Sequence, residues 1–339
     1  MKLNVGIIGG GSVAQAHLAA YSSQKDVSVK WLADVSDTNL KAGLSKFRIE
    51  STTNDYRKIL DDPQVSLIDV CVPPHLHRQV GMEALGAGKN VIIEKPIALT
   101  LEEADSLINQ AASAKRRLFV ALNQRFLPAH IEAKHLLQNG EIGKAFLGII
   151  TCIGDETARM RDPKSWKGTW EKAGGGALAD TGVHLVDLAL FFFGRPVAVT
   201  AATFNLVLEV PGKGDDTSSV ILEFESGAMA QICVTYVGTG DIWSEKKDLF
   251  GTNGSLHICS EALEQPLWVV KNKGEAKSFP VEHETQWWEF SIRKEIEHYV
   301  RCLLNDKPEG VTAQDAREVL RVILKCYEAS GKSHSRLTV

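Results

Sequence analysis

The sequence is short of the features that would carry it outside ordinary globular chemistry. It has no apolar run approaching the roughly 20 residues of a membrane span. Its start, Met1-Lys2-Leu3-Asn4-Val5, enters a strand pattern without the apolar core of a signal peptide. Six cysteines (Cys71, Cys152, Cys233, Cys259, Cys302 and Cys326) are scattered with no C-x-x-C pair, and most fall in apolar stretches. They read as buried free thiols of a reducing compartment. No basic block exceeds Lys115-Arg116-Arg117, and the formal net charge is -4. The electrostatic footprint of a nucleic-acid binder is therefore missing. Internal repeats and low-complexity segments are also missing. These absences predict a soluble, cytoplasmic protein with a small-molecule substrate and neither a nucleic-acid nor a membrane partner.

What is present is enough for two domains: 339 residues, 44% hydrophobic and 24% charged. The run from Leu3 to Ile8 ends in Gly9-Gly10-Gly11-Ser12-Val13-Ala14, and a helical pattern begins at once. This is G-x-G-x-x-A in the context of strand, tight turn and helix. The first glycine permits the turn, the second lets the backbone approach a pyrophosphate, and the small third residue lets helix and strand pack closely. Ser12 and Val13 open the helix whose N–H groups would face that anion. The second strand, Val27 to Ala33, ends in Asp34, placed for the ribose hydroxyls of an adenosine half. Its charge would repel a 2′-phosphate, and no Arg stands at positions 35–38. NAD is expected, and NADP is the less favoured cofactor.

Short apolar runs at 67–72, 91–93 and 117–122, separated by helical segments near 75–87 and 101–115, predict a parallel sheet covered on both faces. Ligands to such sheets bind beyond the carboxyl ends of the strands. The residues just after the strands are therefore the candidates: Asp34, Pro73-Pro74-His75, Glu94-Lys95-Pro96 and Asn123-Gln124-Arg125. Pro73 and His77 are expected beside the cofactor; neither His75 nor His77 has a second ligand at metal spacing, so no metal is assigned. Lys95 carries the most information, because a lysine at the end of a buried strand is costly unless it has partners or a task.

Farther on, Gly174-Gly175-Gly176 leads into Ala177-Leu178-Ala179-Asp180-Thr181-Gly182-Val183-His184. One amphipathic helix is predicted here, with Asp180 and His184 on a single face. A carboxylate beside an imidazole raises the basicity of the ring and fixes its orientation. Ala129 to Gln138 reads as a bridging helix and 145–153 as a strand. The polar stretch 154–173 reads as a long functional loop whose Trp166 lines a pocket. Strand patterns at 197–208, 217–225, 228–237, 245–250 and 255–259 give a mostly antiparallel sheet, with Tyr236 and Trp243 as lesser pocket candidates. Helices are predicted at 285–304 and 312–330, the second capped by Thr312, and Trp287-Trp288 is expected in the core.

Together, Gly9 through His17, Glu94-Lys95-Pro96, Asn123-Gln124-Arg125-Phe126, Trp166-Lys167 and Gly174 through His184 and Asp187 resemble the glucose–fructose oxidoreductase / inositol dehydrogenase / rhizopine-catabolism family, Gfo/Idh/MocA. The resemblance spans essentially the whole chain. It implies an α/β Rossmann dinucleotide-binding domain at 1–123 and an α+β domain with an open, mostly antiparallel sheet at 124–339, its C-terminal helix packing back on the first. It implies a catalytic trio of Lys95, Asp180 and His184, with His184 as general base, Asp180 supporting it and Lys95 holding the substrate oxygen. Gly9, Gly11, Ser12, Val13, Asp34, Pro73, His77, Glu94, Lys95 and Asn123 would contact NAD. Arg125, Trp166 and Tyr236 would join the trio around the substrate. Two departures stand out: Pro74 where the family often has Asn, and Lys167 in place of the commoner Arg, which loses a bidentate fork. The implied activity is hydride transfer between nicotinamide and a secondary alcohol of a sugar, polyol or inositol-like molecule, in a homodimer or homotetramer built on the second-domain sheet. Alternatives within the same resemblance are an NAD-dependent glycosidase, a non-catalytic cofactor-sensing regulator and an NADPH-dependent reductase.

Overall fold

The computed structural model describes residues 2–339 except 209–211, 239, 241, 242, 260–264, 273, 309 and 332–335. Its contacts divide the chain into two compact units, 1–123 with 291–317 and 124–290 with 318–339. The second unit is thus discontinuous and does not run unbroken from 124 to 339.

The first unit alternates strand and helix: β1 (Leu3–Ile8), α1 (Ser12–Ser22), β2 (Val27–Ala33), α2 (Asp37–Lys46), β3 (Ser51–Thr53), α3 (Arg57–Leu60), β4 (Leu67–Val70), α4 (His77–Gly86), β5 (Asn90–Glu94), α5 (Leu101–Ala114) and β6 (Leu118–Ala121). All strand pairs are parallel, in the order β3-β2-β1-β4-β5-β6. That is the doubly wound order of a Rossmann sheet, with its switch point between β1 and β4. All four residues of β4, and all four of β6, are buried, as a sheet covered on both faces requires. One of them is an acid, Asp69, fully enclosed in the middle of β4.

The second unit opens with α6 (Pro128–Gln138), β7 (Ala145–Gly154), α7 (Thr157–Arg161), α8 (Trp170–Ala173), α9 (Ala177–Asp180) and α10 (Gly182–Phe193). Then come β8 (Pro196–Phe204), β9 (Thr217–Phe224), β10 (Met229–Thr235), β11 (Trp243–Gly251), β12 (Gly254–Cys259), β13 (Leu267–Lys271) and β14 (Ala276–Ser278). The helices α11 (Trp287–Asn305) and α12 (Ala313–Gly331) and the short β15 (Leu337–Thr338) complete the chain. The nine strands lie in the order β14-β13-β12-β11-β7-β10-β9-β8-β15. β7 and β10 are parallel and every other pair is antiparallel. One face is apolar and covered: Ile150, Cys152, Ile232 and Val234 share a cluster with Val183, Val186 and Ala189 of α10.

Three expectations need correction. The single helix drawn through Asp180 and His184 is two, since α9 ends at Asp180 and α10 starts at Gly182. The helical segment 170–180 bends by 52° from α10. The stretch 154–173 is not structureless, since it contains α7 and α8. Trp287 and Trp288 are not core, since Trp287 is half-buried and Trp288 is exposed. The core positions of α11 are Phe290, Ile292, Ile296 and Tyr299, and from Ser291 onward the helix belongs to the first unit. Tyr299 packs at a tilt against Phe119, with ring centroids 4.5 Å apart, and donates to the carbonyl of Val120 at 2.8 Å. The Thr312 cap is present: its Oγ1 accepts from the Asp315 N–H at 3.1 Å, and Asp315 Oδ2 accepts from the Thr312 N–H at 2.9 Å. Among the described residues no single helix is long and apolar enough to cross a membrane.

Candidate active site

In the first unit the glycine turn lies at the switch point. Gly9 has φ +99°, and a Cβ there would sit 2.3 Å from the carbonyl oxygen of Cys71, so the position requires glycine. Gly11 caps α1 with no side-chain hydrogen bond, and a Cβ there would meet nothing within 4 Å. The helix start therefore combines N–H groups that no side chain caps with open space in front of them, which suits a pyrophosphate. Ser12 is exposed and Val13 half-buried at that mouth. Asp34 stands beside the turn: Oδ2 accepts from the Gly10 N–H at 2.6 Å and Oδ1 from the Ser36 N–H at 2.7 Å. These residues fit the adenosine half of NAD, with the acid adjacent to the glycine loop as the spacing predicts.

The Glu94-Lys95-Pro96 segment follows β5 directly, and the Lys95–Pro96 peptide is cis. Lys95 is half-buried, and its backbone N–H donates to Glu94 Oε2 at 3.1 Å. His77 lies wholly inside: Nδ1 is 2.7 Å from the Pro96 carbonyl oxygen and Nε2 is 2.9 Å from that of Val72. Burial pushes its ring below the ordinary histidine range. Expected beside the cofactor, His77 instead ties together the two loops that follow β4 and β5. Pro73 is half-buried at the first of those loops. Asn123 is buried and donates to Ser291 Oγ at 2.6 Å.

In the second unit the glycine triplet is packed against a carboxylate that the sequence reading did not single out, Asp215. A Cβ on Gly176 would lie 1.8 Å from the Asp215 carbonyl oxygen, and one on Gly175 would lie 2.1 Å from the Tyr327 hydroxyl. The Asp215 side chain accepts from the N–H groups of Gly176 at 3.0 Å and Leu178 at 2.8 Å. It also accepts from the hydroxyls of Tyr327 at 2.6 Å and Ser218 at 2.7 Å. It thus caps α9 from a distant loop, where a carboxylate is favoured by the unsatisfied N–H groups.

At the other end of α9, Asp180 Oδ2 accepts from the Tyr236 hydroxyl at 2.6 Å and from Lys167 Nζ at 2.9 Å. Lys167 Nζ is also 3.3 Å from Glu156 Oε1, and the Tyr236 oxygen lies 2.6 Å from Thr181 Oγ1. Burial would lower the Lys167 pKa, but the charges of Asp180 and Glu156 outweigh it and hold the ammonium above its usual range. Burial and the neighbouring Asp180 carboxylate push the Tyr236 phenol well up, so it stays a donor. His184 lies in the first turn of α10, only 8% exposed, with its backbone N–H donating to the Thr181 carbonyl at 3.0 Å. The arrangement fixes the Asp180 carboxylate with a phenol and an ammonium, and sets an imidazole four residues on, beyond the bend.

The remaining candidates have partners of their own. Arg125 forms a fork on the buried Asp187 carboxylate, with Nε 2.9 Å from both oxygens and Nη2 2.6 Å from Oδ1. Trp166 is 37% exposed, and its carbonyl accepts from Thr169 Oγ1 at 2.7 Å. Tyr236, predicted at the substrate, is fully buried, and the bonds above spend its hydroxyl on Asp180 and Thr181. The half-buried Trp243 donates from its indole N–H to Glu245 Oε1 at 3.2 Å.

The pattern of an oxidoreductase family with an NAD-binding Rossmann fold matches residues 3–122, and that of the GFO/IDH/MocA C-terminal domain matches residues 130–257. Levoglucosan dehydrogenase of Pseudarthrobacter phenanthrenivorans is 30% identical over 284 residues, covering 75% of this chain and 73% of that one. The chain belongs to the Gfo/Idh/MocA family. Myo-inositol 2-dehydrogenase of Thermotoga maritima is 24% identical over 321 residues, with 94% and 93% of the two chains covered. Among solved structures, levoglucosan dehydrogenase in complex with NADH and L-sorbose superposes with a TM-score of 0.92 at 26% identity, over 100% of this chain and 99% of that one. Gfo/Idh/MocA membership makes this an NAD-dependent oxidoreductase of the dehydrogenase type.

Within this Gfo/Idh/MocA chain, sequence reasoning missed the residues that act through others. Asp215 and Tyr327 hold the glycine triplet, Glu156 shares Lys167, and a buried group in the first unit joins His17, Asp69, Cys71 and Glu94. His17 Nδ1 is 2.8 Å from Asp69 Oδ2 and its Nε2 is 3.2 Å from Glu94 Oε1. The ligating atoms of His17, Asp69 and Cys71 lie within 4.8 Å of one another. Burial pushes the Cys71 thiol up, away from the thiolate a metal needs. Asp69 was legible only as one acid in an apolar strand, and the order of residues gave no sign that His17 would reach it.

Proposed function

We propose that the chain oxidises a secondary alcohol of a sugar, polyol or inositol-like substrate, or reduces the matching ketone, with Lys95, Asp180 and His184 as its proton-transfer machinery. NAD, when bound, supplies a hydride acceptor or donor at C4 of its nicotinamide. Removing hydride from a carbinol requires the hydroxyl proton to leave, so a base with a pKa near the working pH is needed, together with a cation beside the developing alkoxide. His184 is that base, accepting the hydroxyl proton on its ring. Asp180, held by Tyr236 and Lys167, stabilises the imidazolium that forms, and the Lys95 ammonium steadies the substrate oxygen. Arg125 and Trp166 contribute to the substrate pocket, while Tyr236 works through Asp180. The observation that carries this reading is the anchoring of Asp180 Oδ2 by a phenol at 2.6 Å and an ammonium at 2.9 Å. A carboxylate so fixed is built to orient a neighbour. Relatives named for levoglucosan and inositol point to the polyol class.

Turnover is measured as absorbance of reduced nicotinamide across a panel of cyclic polyols and aldoses. Lys95→Ala and His184→Ala are each expected to lower kcat by roughly 100-fold or more, with the NADH dissociation constant nearly unchanged. Full activity in either variant would overturn the assigned role. An NAD-dependent glycosidase would release product without stoichiometric NADH.

We further propose a homodimer or homotetramer formed through the outward face of the nine-stranded sheet. Leu147, Ile149, Ile153, Ile221 and Met229 lie at half-buried or exposed positions that alternate with the covered ones. Apolar side chains interspersed with polar ones on an outward sheet face favour an association surface.

A further inference from the structure

The first unit contains a buried ionic chain that the proposed chemistry does not use directly. His17 is completely enclosed, and each of its ring nitrogens faces a carboxylate: Asp69 Oδ2 at 2.8 Å from Nδ1 and Glu94 Oε1 at 3.2 Å from Nε2. An ionised carboxylate only accepts hydrogen bonds. Both nitrogens must then be donors, and the ring is an imidazolium. Asp69 is fixed in turn by the Tyr21 hydroxyl at 2.8 Å on Oδ2 and by the Cys71 thiol at 3.4 Å on Oδ1. Burial alone would push the ring down, but the charge of Asp69 and its hydrogen bond prevail and hold His17 well above the ordinary histidine range. Geometry and electrostatics agree on the charged form.

The far end of the chain is the strand that delivers Lys95. Glu94 uses one oxygen for His17 and the other, at 3.1 Å, for the backbone N–H of Lys95. A carboxylate clamped at both oxygens has no rotational freedom left, and the peptide it accepts from is the one that sets the direction of the lysine. On the other side of that peptide, His77 holds the Pro96 carbonyl at 2.7 Å. His17, through Glu94, and His77, at the Pro96 carbonyl, therefore grip the two flanks of Lys95.

We propose that His17 is a positioning residue for Lys95, acting through Glu94, and that it does so as a buried imidazolium. The proposal rests on the reading of Lys95 as catalytic and adds how that amine is aimed. No bond is made or broken at His17. Its task is to hold an acceptor in place, and a small misplacement of a catalytic group costs rate far more than it costs binding.

The test compares His17→Asn, Glu94→Ala, Glu94→Gln and Lys95→Ala in the full chain with NAD and a turned-over polyol. Asn has one amide and cannot span both carboxylates. His17→Asn is therefore expected to lower kcat by roughly 10-fold to 100-fold, with KM and the NADH dissociation constant within about threefold. Glu94→Ala should lower kcat by a similar factor, and the double variant should turn over no more slowly than the slower single one, because both cut the same link. Glu94→Gln keeps an acceptor for the Lys95 N–H and an amide facing a neutral His17, so it should recover most of the loss. Independent, additive losses, or no recovery with Gln, would overturn the proposal.

If Lys95→Ala leaves turnover intact, the reading of Lys95 fails. If Lys95→Ala abolishes turnover while His17→Asn stays within twofold of the parent, only the present inference fails. A measurement that needs no substitution is the 15N spectrum of histidine-labelled protein. One ring with both nitrogens protonated, persisting well above neutral pH, is expected in the parent. Its disappearance in Glu94→Gln would support the proposal, and a parent spectrum without it would overturn the proposal.

Discussion

At the scale of single residues, the charged groups of the interior set the pH behaviour of the fold. Glu295 of α11 is fully enclosed. Burial and then the charges of Glu94 and Asp69 push its carboxyl well above the ordinary value near 4.5, with His17 opposing them only in part. A native acid whose pKa is raised binds more protons than the unfolded chain across the interval between the two values. Stability therefore falls with rising pH there, by about 1.4 kcal/mol per pH unit. Glu295→Gln replaces the protonated acid with a group of the same shape that never ionises. The variant is expected to be more stable than the parent at neutral pH, the two curves converging as pH falls towards 4.5 and below. Urea unfolding midpoints measured from acid to neutral pH check this, and a parent more stable than Glu295→Gln throughout would contradict it. The glycine turn at Gly9 and the placing of Asp34 beside it follow a local pattern and were legible in the sequence. Glu295 and Asp69 were not, because a buried acid is defined by neighbours far along the chain and its position in a helix or strand looks unremarkable.

At the scale of elements, the outcome at Gly174 to His184 shows both the reach of spacing rules and where they stop. A period of four residues correctly marked helix on both sides of Thr181, yet it could not register that the path bends by 52° between the helices. The bend is imposed from outside. Asp215 caps the start of α9, while Tyr236 and Lys167 seize its last residue, Asp180. All of these groups come from other elements, so no window of local sequence contains the instruction. Asp215→Ala would remove the acceptor for the Leu178 N–H and the Ser218 hydroxyl, both buried bonds, and one acceptor each for the Gly176 N–H and the Tyr327 hydroxyl. Each buried polar group left unpaired costs about 1–3 kcal/mol, and loosening α9 would also misplace Asp180. The variant is expected to unfold at a lower denaturant concentration and to lose kcat, with NADH affinity retained. Unchanged stability and turnover would show that the cap is dispensable. The parallel β/α alternation of the first unit was read almost strand for strand, because fully buried strands leave unmistakable apolar runs. The short β13, β14 and β15 were missed, being brief and partly exposed.

At the scale of the whole molecule, the chain passes between its two units at 123–124, 290–291 and 317–318. The third passage falls inside α12, where no break in the helical pattern marks it. The outward face of the nine-stranded sheet carries half-buried and exposed apolar side chains among the described residues. Ile149 and Ile221 both stand opposite Gln231 in register, forming one row across three strands. On the same face, Ser255 Oγ lies 2.8 Å from His257 Nε2, and His257 Nδ1 lies 2.7 Å from Asp248 Oδ1, with Trp268 stacked on the ring at 5.4 Å. The contacts run in the order of a hydrolytic Ser-His-Asp set. However, β12 is laddered to β11 on one side and β13 on the other, so its amides are spent and cannot stabilise an oxyanion at Ser255. On the proposed association face the trio would serve as a polar register mark, its cross-strand network fixing orientation while Ile149 and Ile221 supply apolar area. Replacing Ile149 and Ile221 by Lys places two charges on that row without touching the covered face of the sheet. Light scattering after size exclusion is expected to show the parent as a dimer or tetramer and the double variant as a smaller species with an unchanged circular dichroism spectrum. A monomeric parent would refute self-association, and a folded variant with the mass of the parent would refute this face as its site.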